Sequence, residues 1–172
     1  MNTIIIENHG KNDSEFESIK WALKARSTDK TRPAINCIKI DGGLLIATDG
    51  ERLHLTMTER ELSDGVYEVK SCTGKTIVLQ STEEFIYPAY ERVFPRVKME
   101  YAGVLNGKAW PLLHRVYKYI ANDKISFNEQ FLLDACMSNS KFYIGEHDGE
   151  IKPLILYNGN DRAALIMPIK NQ

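Results

Sequence analysis

Leu45-Ile46-Ala47-Thr48-Asp49-Gly50-Glu51-Arg52-Leu53 reads as a strand, a tight turn and the start of a second strand. An apolar run leads into Asp49-Gly50. That pair reverses a chain readily, because aspartate bonds its own backbone and glycine tolerates a positive φ. The same grammar repeats outward. Ile35 to Ile40, Leu44 to Thr48, Arg52 to Thr58, Val66 to Lys70 and Lys75 to Gln80 have strand character. Asp41-Gly42-Gly43 and Cys72-Thr73-Gly74 punctuate them, so the spacing predicts a meander of short antiparallel strands. Arg52 to Met57 alternates, with Leu53, Leu55 and Met57 on one face and Arg52, His54 and Thr56 on the other. One face is therefore expected to be buried and the other free.

A second set of strands follows at Lys141 to Glu146, Lys152 to Tyr157 and Ala163 to Ile169, the last nearly all apolar. Helical spacing predicts three helices. Ser14 to Arg26 opens on Asp13-Ser14, with Glu15 and Glu17 in its first turn and Phe16, Ile19 and Leu23 along its stripe. Ala109 to Ala121 has Pro111 in its first turn, and Glu129 to Met137 is shorter. Tyr87-Pro88-Ala89-Tyr90-Glu91-Arg92-Val93-Phe94-Pro95 carries a proline near each end and reads as a joint. Two similar α+β units, 1–95 and 96–172, are expected; one merged domain is the alternative.

The chain has 172 residues and a net charge of −1, from 22 Lys+Arg against 23 Asp+Glu. This excludes a bulk basic nucleic-acid coat, so any nucleic-acid contact must come from a local patch. Cys37, Cys72 and Cys136 are odd in number and widely spaced, which argues against a disulfide framework or a zinc site. No apolar run approaches a membrane span, and Met1-Asn2-Thr3-Ile4-Ile5-Ile6-Glu7 lacks the features of a signal peptide. A cytoplasmic protein without cofactor or metal is expected. Gly74-Lys75-Thr76 invites a phosphate-loop reading, but Val69 stands where that motif needs glycine, so a hairpin turn is the better reading. No nucleophile elbow, zinc-protease motif or carboxylate pair occurs, and nothing points to an enzyme.

The cations on the first two helices are more suggestive. Lys20, Lys24, Arg26, Arg115 and Lys118 lie away from the apolar stripes. Side by side, the two helices would present one patch able to hold a phosphate backbone without reading sequence.

Three segments together resemble the bacterial sliding clamp, the beta subunit of DNA polymerase III. Leu45 to Leu53 resembles the Ala-Thr-Asp-Gly-His-Arg-Leu stretch of the family's middle domain, and Arg32-Pro33-Ala34-Ile35-Asn36 fits its lead-in. Tyr87 to Pro95 resembles the Phe-Pro-Asp-Tyr-Arg-Arg-Val-x-Pro joint between the middle and last domains. Phe131-Leu132-Leu133-Asp134-Ala135 and Ala164-Leu165-Ile166-Met167-Pro168-Ile169-Lys170 resemble the last domain's helix and closing strand. The resemblance implies a DNA-clamp-like α+β fold, with antiparallel sheets on one side and helices packed on the other. It implies a non-enzymatic processivity factor that encircles double-stranded DNA as an oligomer, and a pocket taking a short peptide from a polymerase or another replication or repair protein. Carried over by position, the pocket comprises Thr48, Gly50, Arg52, Leu53, Pro88, Arg92, Val93, Leu165, Met167 and Pro168. The chain departs from the family in its length and in Glu51 and Glu91, which replace the family's His and Arg. The alternative is an interaction module, an adaptor or decoy for clamp-seeking peptides, that binds no DNA.

Overall fold

The computed structural model describes residues 2–10, 13–94, 100–105, 125–137, 140–144, 146–147, 150–151 and 153–170. They belong to two units, Met1–Ala89 and Tyr90–Gln172.

The first unit is a six-stranded antiparallel sheet: β1 (Thr3–Glu7), β2 (Cys37–Asp41), β3 (Leu44–Thr48), β4 (Arg52–Met57), β5 (Gly65–Cys72) and β6 (Thr76–Thr82). Its spatial order is β1-β6-β5-β2-β3-β4. The hairpin turns fall where the sequence places them, at Gly42-Gly43 and at Asp49-Gly50. Gly-Lys-Thr belongs to the β5–β6 hairpin, where the Thr73 hydroxyl oxygen accepts from the backbone N–H groups of Lys75 and Thr76 at 3.1 and 2.9 Å.

Helix α1 (Ser14–Leu23) lies against β3 and β4. The Asp13 carboxylate caps it by accepting from the Phe16 N–H at 2.9 Å. Phe16, Ile19, Trp21, Ala22 and Leu23 are buried beneath it. The helix is shorter than the expected span to Arg26. Ala25 and Arg26 continue only as tightened turns, bonding Ala22 and Leu23 three residues back. Ser27 then leaves the axis, because its N–H goes to the carbonyls of Ile35 and Thr48. The expected strand at Ile35 also starts later. Pro33–Asn36 form a single helical turn, α2, with proline at its first position, and β2 begins at Cys37.

The expected free face of β4 is corrected. Leu53, His54, Leu55 and Thr56 are all buried, and only Met57 stands out at 49% exposure. The polar-reading face is covered by α1. His54 stacks on Trp21, with ring centroids 4.3 Å apart and planes 13° from parallel, and its Nδ1 donates to the Trp21 carbonyl at 3.1 Å. An imidazole whose proton is satisfied packs as an aromatic ring. Beside β4, the buried Tyr87 hydroxyl donates to the carbonyl of Ile46 on β3 at 3.3 Å, which anchors the start of the joint.

The second unit contains β7 (Glu100–Leu105), β8 (Ile125–Ser126), α3 (Glu129–Ala135), β9 (Ser140–Ile144), β10 (Glu146–His147), β11 (Glu150–Ile151), β12 (Leu154–Asn158), β13 (Arg162–Ile166) and β14 (Ile169–Lys170). Its main sheet runs β13-β12-β9-β7, antiparallel throughout. Asn128 caps α3 through its side-chain oxygen, and α3 lies against β13. Phe142, Leu154, Leu156, Ala164, Ile166, Leu132 and Ala135 are buried. Among them Asn158 is a buried polar residue, bonded to the Ser140 hydroxyl and, at 2.9 Å, to the Ala135 carbonyl. The expected single strand to Ile169 breaks after Ile166, and Ile169–Lys170 pair with β8 instead. Proline at 168 has no N–H to continue the ladder. The helix expected at 109–121, with Arg115 and Lys118, lies outside the described residues.

Candidate functional site

Thr48, Gly50 and Arg52 are brought together in one turn by their own hydrogen bonds. The Thr48 hydroxyl donates to the Arg52 carbonyl at 2.6 Å and accepts from the Gly50 N–H at 3.0 Å. The Asp49 carboxylate accepts from the Glu51 and Arg52 N–H groups, both at 3.0 Å, and from the Arg52 Nε at 2.9 Å. Each residue therefore fixes the next, which is why this stretch is so legible as a motif. Arg52 is largely covered, and its second guanidinium nitrogen donates to the carbonyl of Lys24, the C-cap of α1, at 2.6 Å.

Arg32 completes the turn, a residue that the sequence reading placed only in a lead-in. Its guanidinium donates to the Asp49 carbonyl at 3.0 Å and lies across Gly50. A Cβ at position 50 would meet it at 2.6 Å, and Gly50 has φ +94°. The turn thus demands glycine for its backbone angle, while the exposed Arg32 guanidinium resting on it could swing aside for a Cβ. Glu51 is exposed beside it.

The apolar residues of the candidate pocket divide by exposure. Leu53 and Leu165 are buried, at 3% and 1%, and offer no open surface. Met167 and Val93 are each 40% exposed, Pro168 is half-buried, and Pro88 and Arg92 are exposed. Arg92 and Val93 stand on a 3-10 turn, Tyr90–Val93. Leu165 lies within β13, and Met167 and Pro168 follow its last residue, Ile166.

Among the candidate DNA-facing residues, Lys20 and Lys24 lie on α1 and at its cap, half-buried and exposed respectively. Arg26 is committed within the fold, because its guanidinium donates to the Asn36 carbonyl at 3.0 Å. The other end of α1 is acidic and closed. Glu15 accepts from the Thr58 hydroxyl, the Glu59 and Arg60 N–H groups and the Arg60 Nε, and Asp13 pairs with Arg60 at 3.2 Å. Burial pushes the Glu15 carboxyl up, but the bonds from Thr58 and Arg60 outweigh it and hold it below its ordinary value. Burial raises the Cys136 thiol to about 11, so it stays a neutral packing group. Among the described residues no group of three or more His, Cys, Asp or Glu could hold a metal ion, and no helix is long and apolar enough to cross a membrane.

No family model matches the sequence, and no curated protein matches it. Solved structures do match. The beta subunit of DNA polymerase III from Thermotoga maritima superposes with a TM-score of 0.63 at 13% identity, covering 99% of this chain and 66% of that one. The DNA polymerase sliding clamp from Pseudomonas aeruginosa gives 0.62 at 15% identity, covering 98% and 67%. The clamp from Bacillus subtilis gives 0.63 at 14%, covering 99% and 65%. The chain thus spans about two thirds of the length of the clamps it matches. With 13–15% identity spread over nearly the whole chain, the likeness is one of architecture, and the chain has the fold of the bacterial DNA polymerase III sliding clamps.

Proposed function

We propose that the chain acts as a sliding-clamp-like processivity factor without enzymatic activity. In this reading it holds double-stranded DNA non-specifically and captures a short peptide of a polymerase or another replication or repair protein. The observation that carries the reading is the clamp fold over 98–99% of the chain. Two features support it. Val93 and Met167 are apolar side chains left open where a folded core would bury them, and methionine adapts to varied ligands. Strand β1 has an open edge among the described residues, with Ile5 62% exposed, and closure into an oligomeric ring would cover such an edge.

The test has three parts. Met167→Asp, at an exposed position, is expected to weaken capture of a polymerase-derived peptide at least tenfold in titration calorimetry. Lys20→Glu combined with Lys24→Glu is expected to abolish retention on duplex DNA at low salt. Light scattering over a concentration series is expected to give a closed oligomer. A persistent monomer overturns the ring.

The second reading is an adaptor or decoy that uses the same peptide surface and binds no DNA. It is favoured by the commitment of Arg26 to Asn36 and by Glu15 and Glu17 on the same helix as Lys20, which leave α1 with two carboxylates against one lysine and no net positive charge. Intact peptide capture with no salt-dependent DNA retention selects it.

A further inference from the structure

The candidate peptide turn and the cationic end of α1 are joined by hydrogen bonds within the first unit. Arg52 donates to the Lys24 carbonyl at 2.6 Å and to the Asp49 carboxylate at 2.9 Å. The Ser27 N–H reaches the Thr48 carbonyl at 3.3 Å, so the chain just past the helix is bonded to the other flank of the same turn. Arg32 holds the tip of the turn through the Asp49 carbonyl. Lys24 stands at the head of this segment, with its backbone N–H on the Ala22 and Trp21 carbonyls and its own carbonyl on Arg52. The side chains of Arg52 and Asp49 are 10% and 18% exposed, a pair shielded from much of the solvent that would otherwise screen it. A planar guanidinium bridging a carboxylate and a carbonyl fixes both distance and angle, which a lysine ammonium cannot do.

We propose that Arg52 is a positioning residue that couples the Thr48–Arg52 turn to the cationic end of α1, so that a ligand pressing on the turn changes how α1 holds a phosphate backbone, and the reverse. The proposal rests on the reading that α1 faces DNA. It gives Arg52 a role beyond the pocket position that the resemblance implies. Because binding linkage is reciprocal, duplex DNA held by α1 would change the turn's affinity for its peptide by the same factor. A peptide group that draws the guanidinium away from the Lys24 carbonyl would loosen the segment carrying Lys24.

The test uses the full chain and a short random-sequence duplex, read by fluorescence anisotropy against salt, with amide exchange at Ala25, Arg26, Ser27 and Gly50. Lys24→Gln checks the underlying reading and is expected to weaken DNA binding. Arg52→Lys keeps the charge and removes the planar bridge. It is expected to speed exchange at Ala25–Ser27 and to weaken DNA binding about twofold to thirtyfold, the span of ordinary mutational effects on coupling. Asp49→Asn separates geometry from charge. If only local charge matters, removing a carboxylate tightens DNA binding; if Arg52 is held in place by Asp49, the same change weakens it. Thr48→Val, which removes the hydroxyl bonds of the turn, supplies the comparison should either charged-pair variant fail to fold. Weakening by Lys24→Gln with no effect of Arg52→Lys, or tightening by Asp49→Asn, overturns the coupling alone. No effect of Lys24→Gln overturns the DNA reading and the coupling with it.

Discussion

At the scale of single residues, Gly50 and Glu15 are the points where a small change should tell most. Gly50→Ala is expected to destabilise the first unit by about 1–2 kcal/mol, because alanine resists the positive φ. Arg32→Ala in the same chain should not restore that loss, because the backbone strain remains and the bond to the Asp49 carbonyl is lost. Paired thermal melts of the single and double variants check this. Glu15 carries a pH signature. Its folded-state value is depressed, so its contribution is fully present above the unfolded value and is lost as pH falls through the folded one. Stability should therefore decline below about pH 4.5, and Glu15→Gln should flatten that decline while costing about 1–2 kcal/mol at neutral pH. Urea titrations at stepped pH read both effects. These residues were unevenly legible. Asp49-Gly50 announces its turn, because its requirements are local. The roles of Arg32 and Arg52 are not local, since they depend on a loop and a helix end that lie 17 and 28 residues away from their bonding partners. The resemblance therefore places Arg52 only among the pocket residues, and its bonds to Asp49 and Lys24 become visible in the fold.

Elements follow the same division. Strands bounded by glycine turns were readable almost to the residue, as Leu44–Thr48 shows. Where a tertiary bond competes with local periodicity, the reading overshoots. Helix α1 stops early because Ser27 bonds across to Ile35 and Thr48. In β4 the alternation is real, but it does not separate core from surface, because the stacked pair of His54 and Trp21 makes the polar-looking face a second interior. Two variants probe these elements. Asp13→Ala removes the cap of α1 and its pairing with Arg60. It is expected to cost about 1 kcal/mol, with faster amide exchange confined to the first turn. In the second unit, Asn158→Ala leaves the Ser140 hydroxyl and Ala135 carbonyl without their shared partner. It should cost about 2–3 kcal/mol in denaturant unfolding, against less than half of that for an exposed position such as Asn160.

For the molecule as a whole, two readings of different kinds met. The sequence suggested a clamp through three short motifs, and the superposition supplies the architecture over 98–99% of the chain at an identity too low to carry residue roles. What the motifs share with the fold is turn and joint chemistry, the part of a sequence that backbone geometry constrains most. Strand surfaces and helix cations carry no such backbone constraint, so the candidate DNA and peptide residues were the least legible features. At this scale the edge of β1 gives a direct prediction. Ile5→Lys places a charge on an already exposed position, so the first unit should keep its melting behaviour while any self-association through that edge falls. Sedimentation of the wild-type and variant chains compares them. The same strand also orders events in time. Thr3 pairs with Gln80, so β1 must wait for nearly the last residues of its unit before its partner strand is made. Contacts so distant along the chain form slowly, because a long loop must close before any bond rewards it. Until β6 emerges, the nascent chain carries Ile4-Ile5-Ile6 as an apolar segment without its partner strand, a natural handle for a chaperone during synthesis.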